Sequence, residues 1–479
     1  MSGPSQATVL LDMLLSEWHI VQDADEFFAF RRGRQGVGQP FTRGHDRSSV
    51  KSWLLRAYMS SRGSVPKSSA VTDAIAAAVA FAEPIPDGRR VAQRVANLGD
   101  LVVYDLGHEL VHIRPGGIDV MPTVPEGCWM VRSTKLALRQ VRPVFGRDGL
   151  SAIRGLLNVD DDGWLLVTAW LVAALRSIET PALTLRGEQG TGKSTATKML
   201  VRLTDPTTAE TRRPPKSIDD LGVACARSYV VPFDNLSSIS EQLSDAFCRI
   251  VTGDADVKRT LYTDADVTVM QYRRPLILNG ISLGELRADL AERILPVELT
   301  SIPADDRLPL DELWKRFERF RAAALGDLLT LVERTLSYEQ DHERPAQLTR
   351  MAEFHRLCWA LDAVTDHGGY LDAYLAAIDT MTVESIEDSP VARAIVMWFG
   401  QHPDRDRLEG TSSHLLEVLG GTVAQSGRPH ELPDTARGFA EGLRRAAPTL
   451  RAVGFETERR RDPASRSLRA FSVTRAAWD

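Results

Sequence analysis

The strongest chemical signal in the sequence is a glycine-rich segment that ends in a lysine and two hydroxyl residues. Residues 187–195 read GEQGTGKST and fit the pattern GxxxxGK(S/T), between an apolar strand and a helix. Glycine lets backbone N–H groups surround phosphates, while Lys193 would reach the β and γ phosphates and Ser194 would bind Mg²⁺. The predicted cofactors are therefore ATP and Mg²⁺, bound by Gly187, Glu188, Gln189, Gly190, Thr191, Gly192, Lys193, Ser194 and Thr195.

A site of this kind needs a second strand that ends in an acid. The stretch YVVPFDN supplies Asp234, which with Ser194 forms the predicted metal ligand set. The next residue is Asn235, where many ATPases of this kind carry an acid that polarises the attacking water. Two alternatives stay open: Asn235 only orients the water, or an acid elsewhere, such as Glu188 or Glu241, is the general base.

Three further residues are candidates for sensing or stabilising the γ-phosphate. Asn279 ends the strand PLILN and could lie between Asp234 and the phosphate, although Asn-Gly is also a common turn. Arg293, and as second choice Arg287, could reach across a subunit interface and stabilise transition-state charge, the alternative being a solvated surface charge. The predicted catalytic residues are Lys193, Asp234, Asn235, Asn279, Arg293 and Arg287.

The elements around these residues alternate between strand and helix. ALTLRG, SYVVPFDN and RRPLILNG are apolar strands, each followed by a helical pattern, which indicates a parallel sheet covered by helices. Pro232 lies within the second strand and cannot donate to a ladder, which is unusual for a central strand. The predicted fold class is α/β with a P-loop NTPase core.

The organisation along the chain indicates four regions. Helical patterns and alternating strands precede the core, a long helical stretch follows it, and the last 90 residues have the order helix, helix, helix, strand, strand. The predicted domains are a small α+β unit over 1–145, the ATPase core over 150–305, a helical region over 306–385 and a winged-helix-like unit over 389–479.

Composition fits a globular protein of several domains. The 479 residues are 43% hydrophobic and 25% charged, with a net charge of −6, so any nucleic-acid contact must be local. The four cysteines lie far apart, which predicts buried thiols rather than a zinc site. The sequence lacks a signal peptide pattern and a long apolar run, so the expected location is cytoplasmic, without membrane contact.

One motif is interpreted as misleading. His108, Glu109 and His112 fit HExxH, but zinc proteolysis needs both histidines on one helical face. The segment LVVYDLGHELVHIRP alternates as a β-hairpin, with glycine before the motif and Pro-Gly-Gly after it. We therefore predict strands here and no metalloprotease site.

The C-terminal unit concentrates arginine where a winged helix would contact DNA. Arg437, Arg444 and Arg445 lie on its third helix, and Arg459 to Arg461 lie at the turn between its two strands. Winged helices also bind proteins, which is the alternative interpretation. The residues predicted to contact DNA here are Arg444, Arg445 and Arg460.

The order of motifs resembles a known family. GEQGTGKST, YVVPFDN, VTGDADVKRTLYTDADVTVMQYRRPLILNG and DLAERILPVEL follow one another as in the superfamily 3 helicases of the AAA+ class, particularly those of phage, plasmid and poxvirus-type primase-helicases. This resemblance covers roughly residues 150–340. It implies a homo-oligomeric ring, a hexamer, whose central hairpins grip single-stranded DNA.

The resemblance also places a hairpin before the third strand, over about Arg259 to Tyr272. Lys258 and Arg259 would lie at its base, and Tyr262 would stack on bases. The residues themselves indicate strand, turn and strand, but the TDAD turn is acidic, so phosphate contacts should come from Lys258, Arg259, Arg273 and Arg274. The alternative is a solvated basic edge.

Together these observations predict an ATP-dependent DNA helicase or translocase of the phage, prophage or plasmid replication type. Its primase would be a separate protein, because no paired-acid primase site precedes residue 150. The alternative function is an ATPase switch or DNA-binding regulator, for example in phage defence, that unwinds nothing.

Overall fold

The computed structural model describes residues 4–24, 26–33, 36–41, 49–86, 90–133, 135–259, 267–280, 286–303, 305, 307–425, 432–461 and 469–475. For residues 255–259, 267–271, 425, 460–461 and 469 it describes the backbone alone. The protein is a mixed α/β protein in which helices cover a parallel sheet, as predicted. Among these described residues, none of the helices combines the length and the apolar character needed to cross a bilayer.

The described residues between 4 and 84 form three helices and a four-stranded sheet. The elements are α1 (Gln6–Glu17), β1 (Trp18–Asp23), β2 (Glu26–Arg31), β3 (Gln39–Pro40), α2 (Val50–Arg62), α3 (Ser68–Ala80) and β4 (Glu83–Pro84). Leu10, Leu14 and Leu54 belong to the apolar core that these helices share. This content of helices and strands agrees with the α+β character predicted for the first region.

A second set of strands follows, most of them in an antiparallel meander. The strands are β5 (Ala92–Gln93), β6 (Val95–Asn97), β7 (Val102–Asp105), β8 (Leu110–Arg114), β9 (Gly117–Met121) and β10 (Met130–Val131). His108 lies in the turn between β7 and β8, whereas His112 lies within β8, where it is buried 3.0 Å from the carbonyl oxygen of Thr123. The β-hairpin predicted for the HExxH segment is therefore confirmed.

The central layer places the predicted motifs at the ends of parallel strands. Its elements are α4 (Leu150–Arg154), α5 (Asp161–Arg176), β11 (Ala182–Arg186), α6 (Lys193–Thr204), α7 (Ile218–Arg227), β12 (Val231–Leu236), α8 (Glu241–Thr252), β13 (Ala255–Arg259), β14 (Val267–Gln271), β15 (Leu276–Gly280), α9 (Ala288–Ala291) and β16 (Ile294–Glu298). The sheet order is β12-β15-β11-β16, and all three pairings are parallel. The carboxyl ends of these strands therefore meet at one edge.

Strand β12 lies at the edge of this sheet, which explains Pro232. The carbonyl oxygen of Pro232 accepts from Arg212 N (3.1 Å), which belongs to a single bridge outside the sheet. In a parallel strand, the N–H and the C=O of one residue point to the same side, so the missing donor also faces outward. A proline is unusual in a central strand because it cannot donate a hydrogen bond to a neighbouring strand. Since β12 is an edge strand, no neighbouring strand requires that donor.

The predicted hairpin exists but begins earlier than expected. Strands β13 and β14 pair antiparallel, with Ala255 opposite Gln271 and Arg259 opposite Val267. Lys258 and Arg259 therefore lie inside the first strand rather than before it, because ADVKR is the segment that pairs with VTVMQ. Tyr262 lies outside the described residues.

The long helices α10 (Leu310–Asp341), α11 (Ala352–Val364) and α12 (Tyr370–Asp388) complete the central body. Tyr104 of β7, Trp170 of α5, Phe247 of α8 and Phe354 of α11 belong to one continuous apolar core. The core therefore runs across the predicted boundaries near 145 and 306. Helix α5 begins directly after its N-cap residue Asp160, which accepts a hydrogen bond from Gly163 N (2.8 Å).

The last region has an apolar core of its own. Its elements are α13 (Pro390–Gln401), β17 (Arg407–Thr411), α14 (Ser412–Gln425), α15 (Ala436–Ala452), β18 (Phe455–Arg461) and β19 (Arg469–Arg475). The strands form an antiparallel sheet in the order β17-β19-β18. The predicted order of helices and strands is present, and β17 is an additional strand that the sequence analysis missed. The winged-helix assignment stays a prediction.

Candidate functional site

The loop over residues 187–195 depends on glycine at three positions. Gly187 leaves β11 with φ +134°, and Gly190 and Gly192 both have φ +89°. A Cβ on Gly187 would lie 2.5 Å from the carbonyl oxygen of Leu299, whereas one on Gly190 would meet nothing within 4 Å. Positive φ angles strain any L-residue, so the path of the loop requires glycine here.

This difference predicts unequal effects of two alanine substitutions. Gly187→Ala adds a backbone collision to an unfavourable φ, and we expect it to cost about 1–3 kcal/mol and to weaken nucleotide binding. Gly190→Ala is the matched control, since it introduces the φ strain without the collision. Urea denaturation and titration with a fluorescent ATP analogue measure both effects, and equal losses in the two variants would contradict the prediction.

Lys193 is the first residue of α6, and its ammonium group is held by the loop itself. Its Nζ donates to the carbonyl oxygens of Gly187 and Glu188, both at 2.6 Å, and Thr191 Oγ1 donates to Glu188 O at 3.1 Å. Gly192, the N-cap residue, has no side chain that could cap the first N–H groups of α6, which are thus available to an anion. The lysine charge and these N–H groups lie at the same end of α6.

Ser194, Asp234 and Asn279 meet at the carboxyl edge of the sheet. Ser194 Oγ donates to Asp234 Oδ2 (2.8 Å), and Asn279 Nδ2 donates to Asp234 Oδ1 (3.3 Å) and to Thr197 Oγ1 (2.6 Å). Asn279 is 1% exposed, and its Oδ1 has no hydrogen-bond partner among the described atoms. Hydroxyl and carboxylate oxygens are ligands that Mg²⁺ accepts. The three predicted residues therefore form one oxygen-rich cluster beside the loop.

Asn235 lies next to this cluster in an unusual backbone conformation. It is exposed, with φ +64°, at a register shift between Phe233 and Leu236 where β12 leaves β15. Asparagine tolerates the left-handed region better than most residues, which accounts for its presence at this point. Glu188 and Glu241, the alternative bases, are both exposed.

The two candidate arginines differ in accessibility. Arg293 is 8% exposed and donates to Asp289 O (2.7 Å) in the preceding helix, with Asp289 Oδ1 at 2.9 Å. Arg293 directly precedes β16 and so lies at the amino ends of the parallel strands, whereas Lys193 lies at their carboxyl ends. Arg287 is exposed and lies 3.3 Å from Asp245. Arg293 is therefore buried and Arg287 exposed, although each is paired within its own chain, and a role for either arginine across a subunit interface stays a prediction.

Two charged residues beside the loop were missed by the sequence analysis. Arg186 and Glu298 are the last residues of β11 and β16 and lie opposite each other in the parallel register. Burial raises the pKa of Glu298, and the charge of Glu384 adds to this, whereas Arg186 and Lys193 oppose it. The signal that could have found them is the one used for Asp234 and Asn279, namely a polar residue at the end of a parallel strand.

The residues predicted to contact DNA lie in two separate places. At the hairpin base, Arg273 donates to Ser177 O (2.9 Å), and Arg274 is 9% exposed and donates to Cys225 O (2.9 Å). Arg274 is therefore not available to phosphates, contrary to the sequence expectation, because it is buried against α7. For Lys258 and Arg259 only the backbone is described.

In the C-terminal unit, the arginines of α15 are exposed. Arg437, Arg444 and Arg445 all face solvent, with Arg444 3.5 Å from Glu441. Arg460 lies in β18 opposite Ala470. The predicted DNA-contacting residues of α15 thus share an exposed surface, and their role stays a prediction.

Comparison with known proteins gives two matches to family models. Residues 153–384 match a model described as "Actinomycete integrative conjugative element replication protein". Residues 391–477 match a model described as "AICE RepA C-terminal domain". No curated protein matches the chain.

Two solved structures are similar at low identity. One is described as the apo structure of the NrS-1 C-terminal region, with 12% identity over 96% of this chain and 98% of that chain, at a TM-score of 0.41. The other is the JCV helicase, with 15% identity over 49% of this chain and 72% of that chain, at a TM-score of 0.22. Because both TM-scores are below 0.5, neither similarity establishes a common fold.

The family matches confirm the predicted link to replication, while the superfamily 3 assignment stays a prediction. The first matched segment covers the parallel sheet and the long helices, and the second covers the C-terminal unit. Together they span about two thirds of the chain. The chain is a replication-associated protein, similar in both segments to the RepA proteins of actinomycete integrative conjugative elements.

Proposed function

We propose that the chain is a Mg²⁺-dependent ATPase that assembles into a ring and translocates on DNA during replication. The observation that carries this proposal is the contact between Ser194 Oγ and Asp234 Oδ2, 2.8 Å apart, at the end of the helix that begins with Lys193. Phosphate transfer depends on positioning and charge stabilisation, and these residues supply a cation, helix N–H groups and metal ligands in one place.

Each residue of the cluster has a separate task in the proposed reaction. Lys193 and the N–H groups of α6 would bind the phosphates, and Ser194 and Asp234 would hold Mg²⁺, whose chemistry there would be charge neutralisation. The unpartnered Oδ1 of the buried Asn279 is an acceptor close to Asp234 and can orient the attacking water. Arg287 acts on the site of a neighbouring subunit.

A second function is favoured by one observation. Asn235 stands, exposed and in a left-handed conformation, where an acid would accept the proton of the attacking water. An asparagine amide cannot act as that base at neutral pH. The same cluster would then bind ATP and hydrolyse it slowly, as in a nucleotide-controlled switch or a DNA-binding regulator.

Steady-state hydrolysis separates the two functions. The motor should be stimulated by single-stranded DNA and should form rings with a non-hydrolysable ATP analogue, visible by negative-stain microscopy. A chain that hydrolyses ATP at the same low rate with and without DNA and stays monomeric is a switch.

Asn235→Asp tests the same question inside the site. Aspartate tolerates the left-handed region and would add a carboxylate where a general base acts, an effect worth about 10²–10⁴-fold when the base is well placed. For the motor we expect little change in kcat, because the water is already positioned or an acid elsewhere accepts the proton. A large increase in kcat at unchanged nucleotide affinity would instead favour the switch.

A further inference from the structure

Arg186, immediately before the 187–195 loop, is held by a helix from a distant part of the chain. Its Nη1 donates to both carboxylate oxygens of Glu384 at 2.8 Å, and its Nη2 lies 3.1 Å from the sulfur of Met381. Both partners belong to α12. The side chain of Arg186 is 15% exposed and that of Glu384 is 41% exposed, so the guanidinium is shielded from water while the carboxylate is partly open to it. The residue before the loop is thus tied to α12 by an ion pair in which one guanidinium nitrogen contacts both carboxylate oxygens.

The surroundings of this pair carry an excess of negative charge. Glu298 lies opposite Arg186 in the sheet, and Asp388 follows Glu384 by one helical turn. Burial, and next the charge of Glu384, raise the pKa of Asp388, and burial likewise raises that of Glu298. Carboxylates close together repel one another, so any shift of α12 changes the balance of charges around Arg186 and Gly187.

Helix α12 leads without a linker into the C-terminal unit. Ser389 is both the C-cap of α12 and the N-cap of α13, where its Oγ accepts a hydrogen bond from Ala392 N (3.3 Å). A flexible connection would let the C-terminal unit move on its own, but a single shared capping residue leaves almost no free chain. Movement of that unit must therefore reach α12.

The third helix of the C-terminal unit also packs directly on this region. Helix α15 contacts α12 and α9. Met381, which touches Arg186, lines a small cavity together with Thr449 and Ala452 of α15 and Ala288 of α9. One buried side chain thus contacts the residue before the loop and lines the cavity that α9, α12 and α15 share.

We propose that Arg186 is a positioning residue for the 187–195 loop, and that Met381 and Glu384 transmit DNA binding at the C-terminal unit to it. The proposal rests on the proposed function, because it assumes that the loop binds ATP. Duplex DNA is the partner that fits the exposed arginines of α15, a helix that also contacts α9 and α12. Binding of duplex DNA to α15 favours one position of this helix. The resulting shift of α12 changes the contact between Glu384 and Arg186.

The test compares nucleotide affinity with and without DNA in three full-length proteins. They are the wild type, Glu384→Gln, which removes the charge that holds Arg186, and the control Glu387→Gln, an exposed acid one turn from the pair. Titration with a fluorescent ATP analogue and Mg²⁺ gives Kd alone and in the presence of saturating short duplex DNA. We expect duplex DNA to change Kd at least about fivefold in the wild type and in Glu387→Gln.

In Glu384→Gln the ratio of the two Kd values should fall to about one, while DNA affinity and the melting temperature stay near those of the wild type. A merely structural contact would lower stability without removing this ratio. If Glu384→Gln does not fold, Met381→Leu, which removes the sulfur at nearly constant volume, should reduce the ratio in the same way.

The outcomes separate this proposal from the proposed function. A ratio retained in Glu384→Gln, or a wild-type protein that binds both ligands with no effect of one on the other, overturns the proposal alone. A wild-type protein that binds no nucleotide overturns the ATPase function and the coupling with it. A wild-type protein that binds nucleotide but no duplex DNA overturns the coupling and leaves the ATPase function standing.

Discussion

Lys193→Ala should lower ATP hydrolysis about a hundredfold or more, because one preorganised cation is removed from the place where phosphate charge develops. The Nζ group is fixed by Gly187 O and Glu188 O at the mouth of the loop, so no other side chain of α6 replaces it. The loss is expected for the motor and for the switch alike, since both use the same nucleotide site. Steady-state phosphate release at saturating Mg²⁺ measures it.

The matched control is Lys198→Ala, which removes the same charge one and a half turns further along α6. This variant should keep its activity, because its ammonium group is not part of the loop. Circular dichroism and thermal unfolding should give similar values for both variants. Equal activity of Lys193→Ala and the wild type would exclude the nucleotide site proposed here.

Asp205→Ala should destabilise the protein by about 3–5 kcal/mol, the cost of leaving a buried charge without its partner. Asp205 is 4% exposed and accepts from Arg94 Nε (2.7 Å), Tyr229 N (2.8 Å) and Val230 N (3.1 Å). Arg94 is equally buried and also donates to Pro206 O (3.0 Å). The carboxylate thus joins the end of α6, the start of β12 and the meander strands.

Removal of Asp205 therefore leaves a buried guanidinium without its carboxylate and two buried N–H groups without an acceptor at once. Asp161→Ala is the control, because Asp161 pairs with Arg154 but is 89% exposed, and surface pairs contribute at most about 1 kcal/mol. Urea denaturation of both variants gives the comparison. A loss for Asp205→Ala no larger than that for Asp161→Ala would contradict the buried-pair interpretation.

Local sequence patterns predicted the part of the site that depends on local structure. The glycine-rich loop, Asp234 and Asn279 could be found because each follows an apolar strand, and parallel strands bring their carboxyl ends together. Ser194, Asp234 and Asn279 do lie in contact. The exposed α15 arginines were found for a similar reason, since helical spacing alone places them on one face.

Features that depend on distant contacts could not be predicted in this way. The burial of Arg293 and Arg274 depends on Asp289 and on the carbonyl of Cys225, and neither pattern nor composition identifies such partners. The pair between Arg186 and Glu384 joins residues 198 positions apart. An isolated arginine looks the same in a sequence whether it is solvated, buried or paired.

The edge position of Pro232 limits how copies of this chain could associate. An open strand edge can recruit a strand from another molecule, but on the outer side of β12 Pro232 has no donor, and its carbonyl oxygen and the N–H of Asp234 are already bonded to Arg212. Main-chain addition of a foreign strand at this edge is therefore blocked. Subunits meeting on this side would recognise each other through side chains, which can be released and re-formed without unzipping a sheet.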